Sequence, residues 1–132
     1  MAVDEFYKHS EITDKIIRAF YNVYNKLGYG FLEKVYENAM MIELKKLGLE
    51  PNAQQTVNVF YDKQQVGSYF SDIEVNGCVI CELKAAEVIA EEHEAQLLNY
   101  LRATDIEVGL LLNFGKKAEF KKKVFSNEFK NK

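Results

Sequence analysis

The 132-residue sequence predicts a mixed α/β (α+β) fold, with a central β-sheet flanked by helices in the order ααβββαβ and a short C-terminal element. Three observations predict it. Two apolar stripes at helical spacing come first, before Pro51. Runs of strand-like alternation then fill residues 56–85. A third helical pattern leads into "EVGLLLNF", residues 107–114, whose near-continuous apolar character suits a strand covered on both faces. With 48% hydrophobic residues and no internal repeat or low-complexity tract, residues 1–132 read as a single domain.

The first helix is expected over residues 10–27, "SEITDKIIRAFYNVYNKL", with Ser10 as its cap. Ile12, Ile16, Ala19, Phe20, Val23 and Leu27 form its stripe, and Gly28 ends it. The second, residues 31–47, closes at Gly48, and Pro51 marks a loop. Strands are expected at Thr56–Tyr61, Val66–Val75 and Cys78–Ala85, separated by "DKQQ" and "NG". A helix over Glu91–Ala103 carries Ala95, Leu97, Leu98 and Leu101. The final segment, "AEFKKKVFSNEF", suits either a short helix or an edge strand.

Composition narrows the function classes. No apolar run reaches the length of a membrane span, and "MAVDEFYKHS" has no signal-peptide pattern, so the expected location is cytoplasmic, with no membrane partner. Net charge is −3, which argues against non-specific nucleic-acid binding by bulk charge. The charge is unevenly spread: residues 116–132 hold seven lysines against Glu119 and Glu128. That tail either guides a phosphate backbone or is a solvated surface. Cys78 and Cys81 form a C-x-x-C, but within a strand-like run residues three apart point to opposite faces. With no second pair to complete a zinc site, both read as reduced strand residues.

The stretch "SDIEVNGCVICELKA", residues 71–85, carries the sharper signal. A two-residue turn at Asn76-Gly77 would pair Asp72 with Cys81 and set Asp72 and Glu82 on opposite faces. A three-residue loop, Val75–Gly77, pairs Glu74 with Cys78 and Asp72 with Ile80. The second register is preferred because it alone gives a clean apolar face of Ile73, Val79, Cys81 and Leu83. It also sets Asp72 diagonally beside Glu82, with Lys84 two residues further on. Converging carboxylates repel one another unless something compensates, and a divalent cation such as Mg²⁺ does so, which makes a metal site one of two readings of the cluster. The alternative is a solvated face with a weak cross-strand ion pair.

Two helical features stand beside it. Glu33 lies in line with Tyr36, Met40, Leu44 and Leu47, where a carboxylate is expected to be partly buried and to need a partner, or to serve a capping box. His93, Gln96 and Tyr100 share one face of the third helix, as hydrogen-bonding groups for a phosphate, a base or a water, or as a shoulder bonding locally.

"GFLEKVY", with Gly30, Glu33 and Tyr36, resembles the signature of the GxxExxY proteins. Gln55, Asp72, "ELKA" at 82–85, "HEAQLLNYL" at 93–101 and "GLLLNFG" at 109–115 extend the resemblance over roughly residues 10–125. That family is placed among PD-(D/E)XK nuclease-like proteins, in their RecB-like branch, and the resemblance implies a restriction-endonuclease-like core. It implies Asp72 and Glu82 as ligands of Mg²⁺ or Mn²⁺, with Glu33 as a further ligand directly or through water. It makes Lys84 the residue that orients or activates water, and Gln96 and Tyr100 the Q-x-x-x-Y near metal and nucleic acid. Lys121, Lys122 and Lys123 stand where the family usually has an arginine, as candidate nucleic-acid contacts. The expected function is a metal-dependent nuclease acting on DNA or RNA, with a non-catalytic nucleic-acid- or protein-binding module as the alternative. No glycine-rich phosphate loop, serine elbow or metal-spaced histidine pair points to ATP use or to a small-molecule hydrolase.

Overall fold

The computed structural model describes residues 8–130. Helices α1 (Ser10–Leu27) and α2 (Glu33–Lys46) lead into strands β1 (Pro51–Tyr61), β2 (Gln64–Val75) and β3 (Val79–Lys84). Helix α3 (Glu91–Ala103), strands β4 (Val108–Phe114) and β5 (Ala118–Val124), and a single 3₁₀ turn at Asn127–Phe129 follow. The five strands form one sheet in chain order, with β3 and β4 parallel and every other neighbouring pair antiparallel. The final segment is thus an edge strand, and the lysine-rich "tail" lies largely within the sheet.

Helices α1 and α2 cover one face of the sheet, and α3 the other. On the first, Ile16, Phe20, Tyr36 and Met40 pack on Ile73, Val79, Cys81, Leu110 and Phe114. On the second, Leu97, Tyr100 and Leu101 pack on Val57, Ile80 and Leu111. Covered on both sides, β3 and β4 are buried along nearly their whole length, which explains why their sequences are apolar without alternation. Burial pushes the Cys81 thiol far above its usual range, so it is an inert packing group, and Cys78 is likewise free. Among the described residues no helix is long and apolar enough to cross a membrane.

Several local expectations change. Ser10 does not cap α1; His9 takes the N-cap position with left-handed backbone, and its carbonyl accepts from the Ile12 and Thr13 amides. Pro51 opens β1 instead of lying in a loop, which an edge strand tolerates because its missing N–H faces no neighbour. The β1–β2 turn is a two-residue one, Asp62-Lys63, both with positive φ, so the hairpin runs further than "DKQQ" suggested.

The connection leaving β3 is pinned by β4. The buried Asn113 amide donates to the Ala86 carbonyl and accepts from the Ala86 amide, both at 3.0 Å. Gly115 lies against the same segment, and a Cβ there would collide with the Ala86 carbonyl and crowd that of Glu87. Backbone cannot rotate away as a side chain can, so Gly115→Ala is expected to lower the unfolding free energy by about 1–3 kcal/mol. A urea midpoint equal to that of the wild type would contradict this packing.

Candidate functional site

The β2–β3 turn combines features of both expected forms. Asn76 and Gly77 have φ of 53° and 65°, and the Cys78 N–H donates to the Val75 carbonyl at 3.0 Å, as in a tight two-residue turn. The ladder nevertheless starts with Val75 opposite Val79, so Cys78 is an extra, bulged residue. Ile73 faces Cys81 and Glu74 faces Ile80, which corrects the preferred register of Asp72 opposite Ile80 by two residues. The reason is burial: Val75 and Val79 are both fully buried, whereas the discarded register placed Val75 in the loop. An even shift keeps the apolar face intact. It brings Asp72 level with Glu82.

Beyond Ile73, β2 pairs with β1 alone. Where the two strands part, the carboxylates take over from the ladder. The Asp72 N–H donates to Glu82 Oε2 at 2.8 Å, and the Leu83 N–H donates to Asp72 Oδ2 at 2.8 Å. Each side chain thus holds the other strand's main chain. Among the described residues, neither Asp72 Oδ1 nor Glu82 Oε1 accepts a hydrogen bond.

This proximity is electrostatically costly. Burial and then the Asp72 charge push the Glu82 carboxyl up to about 8, against the opposing effects of the Asp72 amide and Lys84. Asp72 is raised too, first by burial, with Glu37 and Glu33 adding to the rise and Lys84 opposing it. Lys84, half-buried at the end of β3, forms no ion pair within 4 Å among the described residues, although its charge reaches both carboxylates. Tyr100 from α3 closes the site. It is 5% exposed, accepts from Gln96 Nε2 at 2.8 Å, and its hydroxyl is raised by burial and by the Glu82 and Asp72 charges.

The remaining candidates divide. Glu33 is exposed, contrary to expectation, and forms no capping box; it is the first residue of α2, and its Oε2 accepts from the Ala85 amide at 3.2 Å. The buried carboxylate of α2 is Glu37, which the sequence reading missed. It pairs with Lys34 and accepts from Gln54 Nε2 at 2.7 Å, while its charge reaches Asp72. Its spacing of four from Glu33 was the available signal. His93 is a capping residue, with Nδ1 accepting from the Ala90 amide at 3.1 Å. Lys121, Lys122 and Lys123 do not form one basic face, because successive strand residues alternate. Lys123 pairs with Glu94 at 2.6 Å, Lys122 lies within reach of the Asp14 charge near α1, and Lys121 is exposed.

No three His, Cys, Asp or Glu side chains among the described residues converge as a ready-made metal cluster. Asp72 and Glu82 still suit a hard divalent ion: they offer two carboxylate oxygens free of other bonds, and their like charge is relieved by a cation. A Mg²⁺-like ion that keeps several waters needs no more from the protein than one or two carboxylates. The same repulsion has a pH signature. Between the ordinary Glu value of 4.5 and about 8, the folded chain holds a Glu82 proton that the unfolded chain has released. Stability of the metal-free chain is therefore expected to fall as pH rises through that window, by at most about 1.4 kcal/mol per pH unit for this one proton. Urea unfolding across the window checks it. Glu82→Gln should flatten the profile, and a wild type already flat there would contradict the geometry.

Comparison with known proteins bears on this arrangement. No curated protein matches the chain. The crystal structure of the protein SSO0001 superposes with a TM-score of 0.56 at 14% identity, covering 71% of this chain and 50% of that one, so this chain spans half its length and the likeness concerns the fold. The family model of the PD-(D/E)XK nuclease superfamily matches residues 10–124, which include the forked strands, the carboxylates, Lys84 and α3. The chain belongs to the PD-(D/E)XK nuclease superfamily.

Proposed function

We propose that the chain is a metal-dependent phosphodiesterase that hydrolyses DNA or RNA, using Mg²⁺ or Mn²⁺. The observation that carries the reading is the fork: two carboxylates locked by main-chain amides, each with one oxygen to offer, beside a lysine that forms no ion pair among the described residues. Asp72 and Glu82 hold the ion, and Glu33 lies further out at the Ala85 amide, where it acts through water. The ion, when bound, polarises water and offsets charge on the phosphate. Lys84 supplies a positive charge that orients the attacking water and stabilises the added negative charge of the transition state. Gln96 and Tyr100 donate hydrogen bonds that position the strand, and Lys121 offers a phosphate contact. Gly30, Glu33 and Tyr36 support placement with the GxxExxY proteins.

A second reading has its own observation. The carboxylates already serve the main chain as a structural clasp, as they would in a binding module that keeps the fold without cutting. Metal titration separates the two. Calorimetry should show Mg²⁺ or Mn²⁺ binding to the wild type that Asp72→Asn with Glu82→Gln weakens about tenfold or more; unchanged affinity would favour the module. In cleavage assays over single- and double-stranded DNA and RNA, Lys84→Ala should slow hydrolysis by about 10²-fold while leaving metal affinity near that of the wild type. Equal traces for the two proteins would overturn the role given to Lys84.

A further inference from the structure

The β1–β2 hairpin leaves the rest of the sheet beyond Ile73 and leans on α3 through Val57, which packs with Leu97, Tyr100 and Leu101. Between hairpin and helix runs a groove of about 1140 Å³, with Asn58, Phe60, Val66, Tyr69, Gln96 and Tyr100 in its walls. Phe60, Val66 and Tyr69 are 59%, 63% and 50% exposed. The Tyr69 ring lies 5.9 Å from that of Tyr100, whose hydroxyl feels the Asp72 and Glu82 charges. Tyr100 also packs with Ile80, two residues before Glu82 and on the same face of β3, so one end of the groove lies toward the carboxylates.

We propose that this groove binds single-stranded nucleic acid, with bases stacked on Tyr69 and Phe60 and the strand led past Gln96 and Tyr100 to the Asp72–Glu82 fork. The proposal deepens the phosphodiesterase reading and rests on it for the destination of the strand. Rings exposed by half or more along a groove mark a binding surface, since water gains nothing from them. Stacking on such rings accepts any base, because every base has a π-face. In a duplex those faces are already stacked and only base edges show in the grooves, so these rings would find no partner. The Gln96 side-chain oxygen and the Nε2 hydrogen not given to Tyr100 supply an acceptor and a donor for unpaired base edges. Gly67 keeps the passage clear: its Cβ position lies 3.6 Å from the Tyr69 ring and 3.9 Å from Val59 Cβ, so a larger side chain would fill the space beside Tyr69.

The test is fluorescence anisotropy of the full chain with short labelled oligo(dT), oligo(rU) and a duplex of equal length. EDTA is present, so binding is read apart from cleavage. Single strands should bind about tenfold tighter than duplex, and Tyr69→Ala and Phe60→Ala should each weaken them by about tenfold. Gly67→Val guards against misfolding, because valine suits a strand; it should weaken binding similarly while circular dichroism stays that of the wild type. Duplex binding as tight as single-strand binding, or Tyr69→Ala and Gly67→Val both binding as the wild type does, would overturn the proposal. So would a stable dimer in sedimentation that buries the groove and persists with oligonucleotide. A chain that bound single strands through these residues yet cut nothing in Mg²⁺ would remove the hydrolytic reading and leave the groove standing.

Discussion

The exchange between Asp72 and Glu82 is the constraint on which the arrangement of this molecule depends. Two antiparallel strands that separate leave main-chain amides without partners, and buried amides need them. Here the amides of Asp72 and Leu83 are satisfied by each other's neighbouring carboxylates. The sheet can fork without orphaned groups only because those residues are acids long enough to reach across. The cost of burying both groups together is visible at Glu82, whose carboxyl is pushed up to about 8 by burial and by the Asp72 charge. The candidate cation site and the strand junction that avoids unmet amides are thus the same few atoms.

Around that junction, three elements converge for separate physical reasons. Tyr36 is fully buried, stacks on Phe114 at 4.1 Å, and donates to the Gly28 carbonyl at 2.7 Å. It fixes the loop in which Gly30, at φ 108°, turns the chain into α2. Glu33 then reaches the Ala85 amide just past Lys84. The G-x-x-E-x-x-Y spacing consequently describes a bracket from the first helical layer to the exit of β3, with one residue for the turn, one for the reach and one for the anchor. Asn113 grips the same exit from the β4 side.

Much of this was legible in sequence. The helical stripes of α1 and α3 and the apolar runs of β3 and β4 follow from burial, which periodicity reports directly. Asp72, Glu82, Lys84, Gln96 and Tyr100 stand out in the sequence because polar groups within those patterns are conspicuous. What could not be read was pairing. The bulge at Cys78 depends on Val75 and Val79 both finding core space, a choice settled by tertiary packing. Glu33 is exposed where burial was expected, and Glu37 is buried, for a related reason: the stripe of α2 identifies one side of the helix but not where its first turn lies against the sheet. The lysines of β5 looked like one patch because a run in sequence becomes two faces only once the strand is known.

Only three residue pairs join the β1–β2 hairpin to the rest of the sheet, Ile73–Cys81 through Val75–Val79. The Asp72–Glu82 exchange sits just past the end of that seam, and the groove wall on β1 and β2 lies further out along the hairpin. The carboxylate fork and the outer groove wall therefore lie in different segments of the hairpin. New side chains at the exposed positions of residues 58–68 would reshape the groove while leaving the three ladder pairs and the two carboxylate–amide bonds in place.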